Sequence, residues 1–227
     1  MCVGMDGDLL SGLDDEQRRL VIARTTRRRL QKGETLFHEG DVGDCLHVVQ
    51  SGKVAIRTST PSGDVVTLAV VGAGATFGEL SLIDASSRRS ASVVALEPTE
   101  TRVLQRAEFD ELRRRHPSVE RLLVELLAAQ VRRLSAHVLD ALYVPVETRV
   151  IRRMVELADL YASGPGPTAA GGPVEVPVRQ EDVASMAGTT RPTANRVLKQ
   201  LEDAGIVSLR RGCTVVHDRS ALRTLAG

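Results

Sequence analysis

The segment RQEDVASMAGTTRPTANRVLKQLEDAGIV, residues 179–207, limits the possible folds of this chain more than any other. Its first third has apolar residues at helical spacing, and Gly188 then provides the conformational freedom of a tight turn. Thr189 or Thr190 can cap a second helix that begins at Arg191 and ends near residue 204, because proline is tolerated in a first helical turn. Two short helices joined by a glycine-containing turn predict helix-turn-helix geometry.

The polar side chains of this segment suit contact with DNA. Arginine can bridge O6 and N7 of guanine, and asparagine can recognise adenine, when a helix enters the major groove. The following stretch, IVSLRRGCTVVHD, predicts a hairpin that turns at Arg211 and Gly212, a wing whose arginines can contact phosphate. The predicted DNA-contacting residues are Arg179, Thr190, Arg191, Thr193, Asn195, Arg196, Lys199, Arg210 and Arg211.

Charge supports a nucleic-acid partner only for this part of the chain. The whole sequence of 227 residues has a net charge of +1, whereas residues 178–227 contain eight Arg or Lys and five Asp or Glu, a net charge of about +3. Five aromatic residues in the chain are too few for a surface that stacks single-stranded bases. Double-stranded DNA is therefore the expected partner, and a merely solvated basic helix face is the alternative.

The cysteines and the hydropathy pattern bear on the cellular location. Cys2, Cys45 and Cys213 are far apart, with no CxxC pair, so neither a disulfide framework nor a structural zinc site is expected. No apolar run approaches the length of a membrane span. We therefore expect a soluble, cytoplasmic protein without a membrane partner.

The region from about residue 28 to 106 has a different pattern. Short apolar runs such as LHVV, KVAIRTS and VVTLAVV alternate with turn residues, which predicts an all-β sandwich or roll. A short helix is predicted before it, with Ser11 or Asp14 as possible caps, and RAEFDELRRRHP predicts another helix that ends at Pro117.

Residues 118–143 predict one long helix, because this stretch contains no Gly or Pro. Its apolar residues recur at alternating spacings of four and three, which is typical of a coiled-coil seam and predicts an isologous homodimer. These residues are Leu123, Leu127, Val131, Leu134, Val138 and Ala141. The alternative is a helix that packs on its own domain. Pro145 ends the helix, another helix follows, and the Pro- and Gly-rich residues 162–173 predict a loop.

The stretch FGELSLIDASSRRSA, residues 77–91, places a single acid near its start and a basic-hydroxyl pair near its end. Together with the helix-turn-helix and the long helix, this stretch makes the whole chain resemble the cyclic-AMP receptor protein/fumarate-nitrate regulator (CRP/FNR) family of bacterial transcription factors. Residues 33–52, GETLFHEGDVGDCLHVVQSG, resemble the opening of the family's cyclic-nucleotide-binding roll, and residues 77–91 resemble its phosphate-binding cassette. Residues 118–143 resemble its dimer helix, and residues 179–217 resemble its winged helix-turn-helix.

The resemblance implies an α+β protein in three parts. These are a β-roll (jelly-roll) domain over residues 1–117, a dimerisation helix and hinge over 118–145, and a winged helix-turn-helix domain over 146–227. The family is controlled by small effectors, so cyclic AMP is the expected ligand and DNA the expected target. RNA polymerase would be a further partner if the protein activates transcription.

The resemblance also assigns roles within the cassette. Arg89 and Ser90 would hold the phosphate, and Glu79 would accept a hydrogen bond from the ribose 2′-hydroxyl. The backbones of Gly78 and Leu80 would lie close by. A phosphodiester carries one negative charge, so one arginine with a hydroxyl and backbone N–H groups suffices. The alternative is a structural ion pair between Glu79 and Arg89. Small residues are needed around these groups, and the implied effector-binding residues are Gly78, Glu79, Leu80, Arg89, Ser90, Ala91, Leu134 and Ser135.

Two positions depart from the family pattern. Cyclic-AMP-responsive members place two polar residues on the dimer helix against adenine, and this chain has Leu134 and Ser135 there. Leucine cannot form that hydrogen bond, so three alternatives stay open: cyclic AMP with a different base contact, cyclic GMP, or DNA binding with little ligand dependence. In the recognition helix, Pro192 replaces a glutamate that can accept from cytosine N4, so the preferred half-site should relax or change there.

Other functions fit the sequence less well. A regulatory module that binds nucleotide but not DNA would have no use for the winged helix. An enzyme is not expected, because no nucleophile–base arrangement, P-loop or metal-spaced cluster accompanies Glu79 and Arg89. An iron–sulfur sensor would need more N-terminal cysteines than Cys2, and no histidine has the spacing of a haem ligand.

Overall fold

The structure is a computed structural model that describes residues 15–84, 86–163 and 172–227. The chain forms two compact units that divide at Leu134 and Ser135. The predicted caps Ser11 and Asp14, and most of the predicted loop at 162–173, lie outside the described residues. The three-part division of the domains stays a prediction.

The described residues form eight helices and eleven strands. The helices are α1 (Asp15–Ala23), α2 (Leu80–Ile83), α3 (Arg106–Arg115), α4 (Pro117–Tyr143), α5 (Val146–Ala162), α6 (Gln180–Met186), α7 (Arg191–Asp203) and α8 (Arg219–Ala226). The strands are β1 (Thr26–Leu30), β2 (Thr35–Phe37), β3 (Cys45–Ser51), β4 (Val54–Ser59), β5 (Val65–Val71), β6 (Thr76–Phe77), β7 (Ser92–Ala95), β8 (Thr99–Gln105), β9 (Val174–Val176), β10 (Val207–Arg210) and β11 (Cys213–Val216).

The N-terminal unit is a β-roll built from two four-stranded sheets. Their strand orders are β1-β8-β3-β6 and β2-β7-β4-β5. Inward-facing residues of both sheets form a buried apolar core that includes Val49, Val54, Phe77 and Val93. The predicted sandwich or roll is therefore confirmed. The short apolar runs became strands because each could bury one face against the opposite sheet.

A second apolar cluster joins the roll to the helices that follow it. Leu82 of α2 packs in one cluster with Leu46 of β3, Phe109 and Leu112 of α3, and Val119 of α4. Burying five such side chains stabilises this part of the unit by about 1.5–3 kcal/mol for each. The cluster fixes α2 against α3 and the start of α4.

Helix α4 covers 27 residues, as the absence of internal Gly and Pro predicted. Several large apolar side chains along it are exposed in the single chain: Val124, Val131, Leu134, Val138, Leu139, Leu142 and Tyr143. A stripe of this kind is unusual on a monomer surface and marks an interaction site. No helix among the described residues is long and apolar enough to cross a membrane.

The C-terminal unit is organised around α5, which packs on α6, α7, α8 and β9. Helices α6 and α7 are joined by a turn in which Gly188 has φ +61°, and β10 and β11 form the predicted hairpin around Arg211 and Gly212. Strand β9, which pairs antiparallel with β11, and helix α8 were not predicted from the sequence. A strand of three residues has too little periodicity to be recognised before its pairing partner is known.

Arg149 of α5 links the end of α4 to the helix-turn-helix. Its guanidinium donates to the carbonyls of Ala141 and Val144 at 3.2 and 3.0 Å. It also donates to those of Ala187 and Gly188 at 2.9 and 3.3 Å. These four carbonyls belong to two helix ends, whose last C=O groups lack intrahelical partners. One side chain therefore holds the last turn of α4 against the turn that precedes the recognition helix.

Candidate effector site and DNA-binding surface

The predicted cassette begins where β6 ends, at a backbone conformation that requires glycine. Gly78 has φ +83°, a value that L side chains rarely adopt. A Cβ atom built on Gly78 would overlap Nη1 of Arg89 and lie 3.0 Å from the carbonyl oxygen of Cys45. Gly78 is thus required both for the turn into α2 and for the close approach of Arg89.

Arg89 is the centre of this site. Its side chain is only 6% exposed. Nη1 donates to the carbonyl of Cys45 at 2.9 Å and to the Ser81 hydroxyl at 3.0 Å, and Nη2 lies 3.1 Å from Cys45 Sγ. The guanidinium carbon stands 4.1 Å from the centroid of the Phe37 ring. These partners hold the guanidinium in place, but all of them are neutral.

The charge of Arg89 has no carboxylate partner among the described residues. None of their ion pairs includes Arg89, and its Nε is buried without a hydrogen-bond acceptor. A buried charge is costly unless it is paired, and a buried donor without an acceptor adds about 1–3 kcal/mol. The Arg89 guanidinium is therefore a positively charged group, held in one orientation by its neutral partners, to which an anion could bind.

The other cassette residues adjoin Gly78 and Arg89 in the chain. Glu79 is half-buried at the start of α2, Leu80 and Ser90 are exposed, and Ala91 is buried. The proposed alternative, an ion pair between Glu79 and Arg89, is not formed. Among the described residues Glu79 has no side-chain hydrogen bond, so its carboxylate is available as an acceptor.

The two predicted base-contacting residues lie apart from the cassette in the chain, on α4. Leu134 and Ser135 are both exposed there, and the Ser135 hydroxyl makes no hydrogen bond within the described part of the chain. Arg88 is exposed and donates to the Gly40 carbonyl at 2.8 Å. The structure therefore brings the two ends of the predicted cassette together at Gly78 and Arg89.

Two ionisable groups lie beside Arg89. Burial, together with the nearby charge of Arg89, lowers the pKa of His47 to about 4. Burial and a hydrogen bond with Asp44 raise the pKa of the Cys45 thiol. His47 is therefore neutral at pH 7, and its ring stacks on Phe77 at a centroid distance of 5.2 Å. No metal-binding cluster of His, Cys, Asp or Glu is found in the described ranges.

Sequence reasoning missed the residues that hold Arg89. Phe37, Cys45 and Ser81 lie on three separate elements, and only the roll brings them to one place. Phe37 is one of three phenylalanines in the chain, which was a weak signal. Cys45 contributes mainly its backbone carbonyl, which a sequence cannot indicate.

Helix α7 presents the polar face predicted for recognition of DNA. Ala194, Val197, Leu198 and Leu201 are buried. The predicted DNA contacts within the helix are all exposed or half-buried: Arg191, Thr193, Asn195, Arg196 and Lys199. Thr190 is the N-cap, as predicted, but its hydroxyl bonds to that of Thr193 at 3.1 Å and not to a backbone N–H. The hydroxyl is thus satisfied by its neighbour one turn along the helix.

The remaining predicted DNA contacts are also at the surface. Arg179, Arg210 and Arg211 are exposed, and Arg210 pairs with Glu175 at 3.0 Å. Arg196 lies 3.5 Å from Glu147 of α5. Among the described residues, Arg191 and Lys199 have no acidic partner within 4.0 Å. Arg196 would therefore have to leave its ion pair with Glu147 before it could contact DNA.

Comparison with known proteins matches both units. The family model of the cyclic nucleotide-binding domain matches residues 27–116, and that of the Crp-like helix-turn-helix domain matches residues 148–225. The cyclic AMP receptor protein of Thermus thermophilus is 36% identical over 218 residues, which cover 96% of each chain. The CRP-like cAMP-activated global transcriptional regulator of Mycobacterium tuberculosis is 30% identical over 84% of each chain.

A solved structure agrees with these matches. The crystal structure of the Thermus thermophilus catabolite activator protein aligns with a TM-score of 0.55 and 36% identity, over 96% of this chain and 98% of that one. Both domains, their order and the coverage agree with the resemblance found in the sequence. This chain is a transcriptional regulator and not an enzyme, and it belongs to the CRP/FNR family of DNA-binding proteins.

Proposed function

We propose that this regulator is a homodimer whose binding to DNA is controlled by a cyclic nucleotide, with cyclic AMP as the first candidate. The observation that carries the proposal is Arg89, which is buried, held by neutral groups and left with an unused Nε donor. Maintaining such a charge is costly unless an anionic ligand uses it. In this proposal residues 1–117 form the roll domain, residues 118–145 the dimerisation helix and hinge, and residues 146–227 the DNA-binding domain.

The chemistry of a cyclic phosphodiester fits the groups around Arg89. Its single negative charge would pair with the guanidinium, while the exposed Ser90 hydroxyl and the backbone N–H groups near Leu80 could donate to phosphate oxygens. The free carboxylate of Glu79 could accept from a ribose 2′-hydroxyl. Gly78 lets the Arg89 guanidinium lie close to the backbone at the start of the cassette.

The residues around Arg89 would contact the sugar-phosphate, so the base of the nucleotide has to be inferred from other features. The names of the relatives from Thermus thermophilus and Mycobacterium tuberculosis refer to cyclic AMP, which supports it as the first candidate. Leu134 argues for a base contact that differs from the family pattern, so cyclic GMP is the second candidate. A regulator with little ligand dependence is the third, because an apolar Leu134 would strengthen the dimer seam without ligand.

Calorimetric titration with cyclic AMP and with cyclic GMP tests the effector. Arg89→Ala should abolish measurable binding of whichever nucleotide the wild type binds, whereas Arg88→Ala, the adjacent and exposed arginine, should bind as the wild type does. Equal binding by Arg89→Ala would refute the cassette assignment. If the wild type bound neither nucleotide, the ligand-independent alternative would be favoured.

The homodimer rests on the exposed apolar stripe of α4. Val131, Leu134 and Val138 recur at spacings of three and four and are at least half exposed in the single chain. A second copy of the chain offers the same stripe and could bury it through an isologous seam. We expect Val138→Asp to shift the sedimentation coefficient from dimer to monomer, and Arg132→Ala, at an exposed polar position, to leave it unchanged.

The DNA contacts rest on the exposed polar face of α7. A dimer would present two such helices to half-sites about one helical turn apart. Arg196→Ala should cost about 1–3 kcal/mol of binding free energy and relax the preference at one base pair. Equal loss on all sequences would show that Arg196 contacts only phosphate. Acting on chromosomal DNA would place the protein in the cytoplasm, with RNA polymerase as a partner if it activates transcription.

A further inference from the structure

Arg106, the first residue of α3, forms several hydrogen bonds with the cassette and with the segment before β3. Arg106 is not one of the proposed effector-binding residues. Its Nε donates to the Ser81 carbonyl at 2.5 Å, and its Nη2 donates to the carbonyls of Gly43 and Asp84 at 2.7 and 2.9 Å. Its own backbone N–H donates to the Asp44 carbonyl at 2.7 Å. These bonds join α3 to two separate segments of the roll.

Both segments hold Arg89. Ser81 supplies the hydroxyl that accepts from Arg89 Nη1, and the chain from Gly43 leads directly to Cys45, whose carbonyl accepts from the same nitrogen. The two segments touch, because a Cβ atom on Gly43 would overlap the Ser81 hydroxyl. Arg106 therefore ties together, from the outside, the two walls between which Arg89 is held.

Helix α2 needs such external support. It has only four residues, and its closing bond, from the Asp84 N–H to the Leu80 carbonyl, is long at 3.4 Å. Helices this short are not stable by themselves, and their last carbonyls have no partner within the helix. Arg106 supplies donors to the Ser81 and Asp84 carbonyls and so caps the end of α2.

The position of Arg106 in its own helix argues against a solely local role. A cation in the first turn of a helix is disfavoured by the helix dipole, which favours acids such as Glu108 there. Arg106 also has no ion pair among the described residues. The helix therefore accepts a locally unfavourable residue whose observed side-chain hydrogen bonds go to α2 and the loop before β3.

We infer that Arg106 is a positioning residue of the effector site: it acts through Ser81 and the Gly43–Cys45 segment to hold Arg89 in the orientation that binds phosphate. The inference rests on the proposed cyclic-nucleotide site. An arginine suits the role because its planar fork can reach three carbonyls together, whereas a lysine offers only one nitrogen. Since Arg106 acts at the sugar-phosphate end, its effect does not depend on the base.

The test compares Arg106→Gln and Arg106→Lys with a matched control, Arg102→Gln. Arg102 is also a half-buried arginine, in the middle of β8, but its bonds go to the side chains of Gln50 and Thr25, outside the cassette. Calorimetry on the full-length protein should show that Arg106→Gln weakens cyclic AMP and cyclic GMP by the same factor, about tenfold. Arg106→Lys should recover part of the loss, and Arg102→Gln should bind as the wild type does.

A second measurement needs no nucleotide. Hydrogen–deuterium exchange of the amides of residues 78–84 should be about tenfold faster in Arg106→Gln than in wild type or Arg102→Gln, because α2 loses its cap. Unchanged exchange, or unchanged affinity with faster exchange, would overturn the positioning role. Failure of the wild type to bind either nucleotide would instead refute the proposed effector, and would leave the exchange result to decide whether Arg106 orders the cassette.

Discussion

Replacing Gly78 with alanine should damage both the effector site and the fold. The residue has φ +83°, and an alanine in this left-handed region costs about 1–2 kcal/mol of folding free energy. The new Cβ would also occupy the space of Arg89 Nη1 and press on the Cys45 carbonyl at 3.0 Å. Relief of that overlap requires the guanidinium to move, which breaks its bonds to Cys45 and Ser81.

Gly63 provides a control with the same backbone requirement and none of the crowding. It has φ +91° in the turn between β4 and β5, and a Cβ atom there would meet no heavy atom within 4 Å. Gly63→Ala should therefore carry only the backbone cost. A hydrogen bond to a charged group contributes about 1.5–3 kcal/mol, so Gly78→Ala should be less stable than Gly63→Ala by about that amount.

Urea unfolding and calorimetric titration of the full-length variants measure the two effects separately. Gly78→Ala should bind cyclic nucleotide at least about tenfold more weakly than wild type, since a displaced guanidinium loses about 1.4 kcal/mol or more of its interaction with phosphate. Gly63→Ala should keep the wild-type affinity. If the two variants bound equally well, the argument that Gly78 makes room for Arg89 would be refuted.

Three further predictions concern other parts of the molecule. The pKa of His47 is lowered to about 4, so the stability that its neutral form contributes is complete above about pH 6.5 and is lost as the pH falls from there toward 4. Urea unfolding should show that the free energy of unfolding decreases by about 2 kcal/mol between pH 7 and 5. This decrease should be absent in His47→Gln. Glu147→Gln should strengthen binding to a DNA duplex by up to about fivefold in a fluorescence titration, but not in an Arg196→Ala background, because Glu147 competes with DNA for Arg196. Asp218→Ala should lower the free energy of unfolding by about 1 kcal/mol, because the Asp218 carboxylate accepts from the Ala221 N–H and caps α8.

The sequence predicted those parts of the protein that local pattern determines. Helices α4 and α7 and the hairpin at Gly212 have periodicity, caps or turn residues within a few positions, and the structure confirms them. Strand β9 was missed because its three residues become a strand only by pairing with β11. Helix α8 was missed because its eight residues, with a single capping aspartate before them, are too few for a helical periodicity to be recognised.

The candidate site shows the same division. Gly78 and Arg89 could be selected because residue type and spacing within one segment carried the information. The groups that orient Arg89 could not, because Phe37 and Cys45 are 52 and 44 positions away in the sequence and Cys45 acts through its backbone. Arg106 was missed for the same reason, since its acceptors are carbonyls on two distant segments.

The four hydrogen bonds of Arg149 have a consequence for how a signal could reach DNA. A rotation about Tyr143–Val146, at the end of the dimerisation helix and hinge expected over 118–145, would have to break the bonds to the Ala141 and Val144 carbonyls while those to the helix-turn-helix remain. It would also strain the ion pair of Arg152 with Asp140 at 2.8 Å. We therefore expect the last turn of α4 to move with the recognition helix as one rigid body. The pivot of this rotation should lie before Asp140 in the chain.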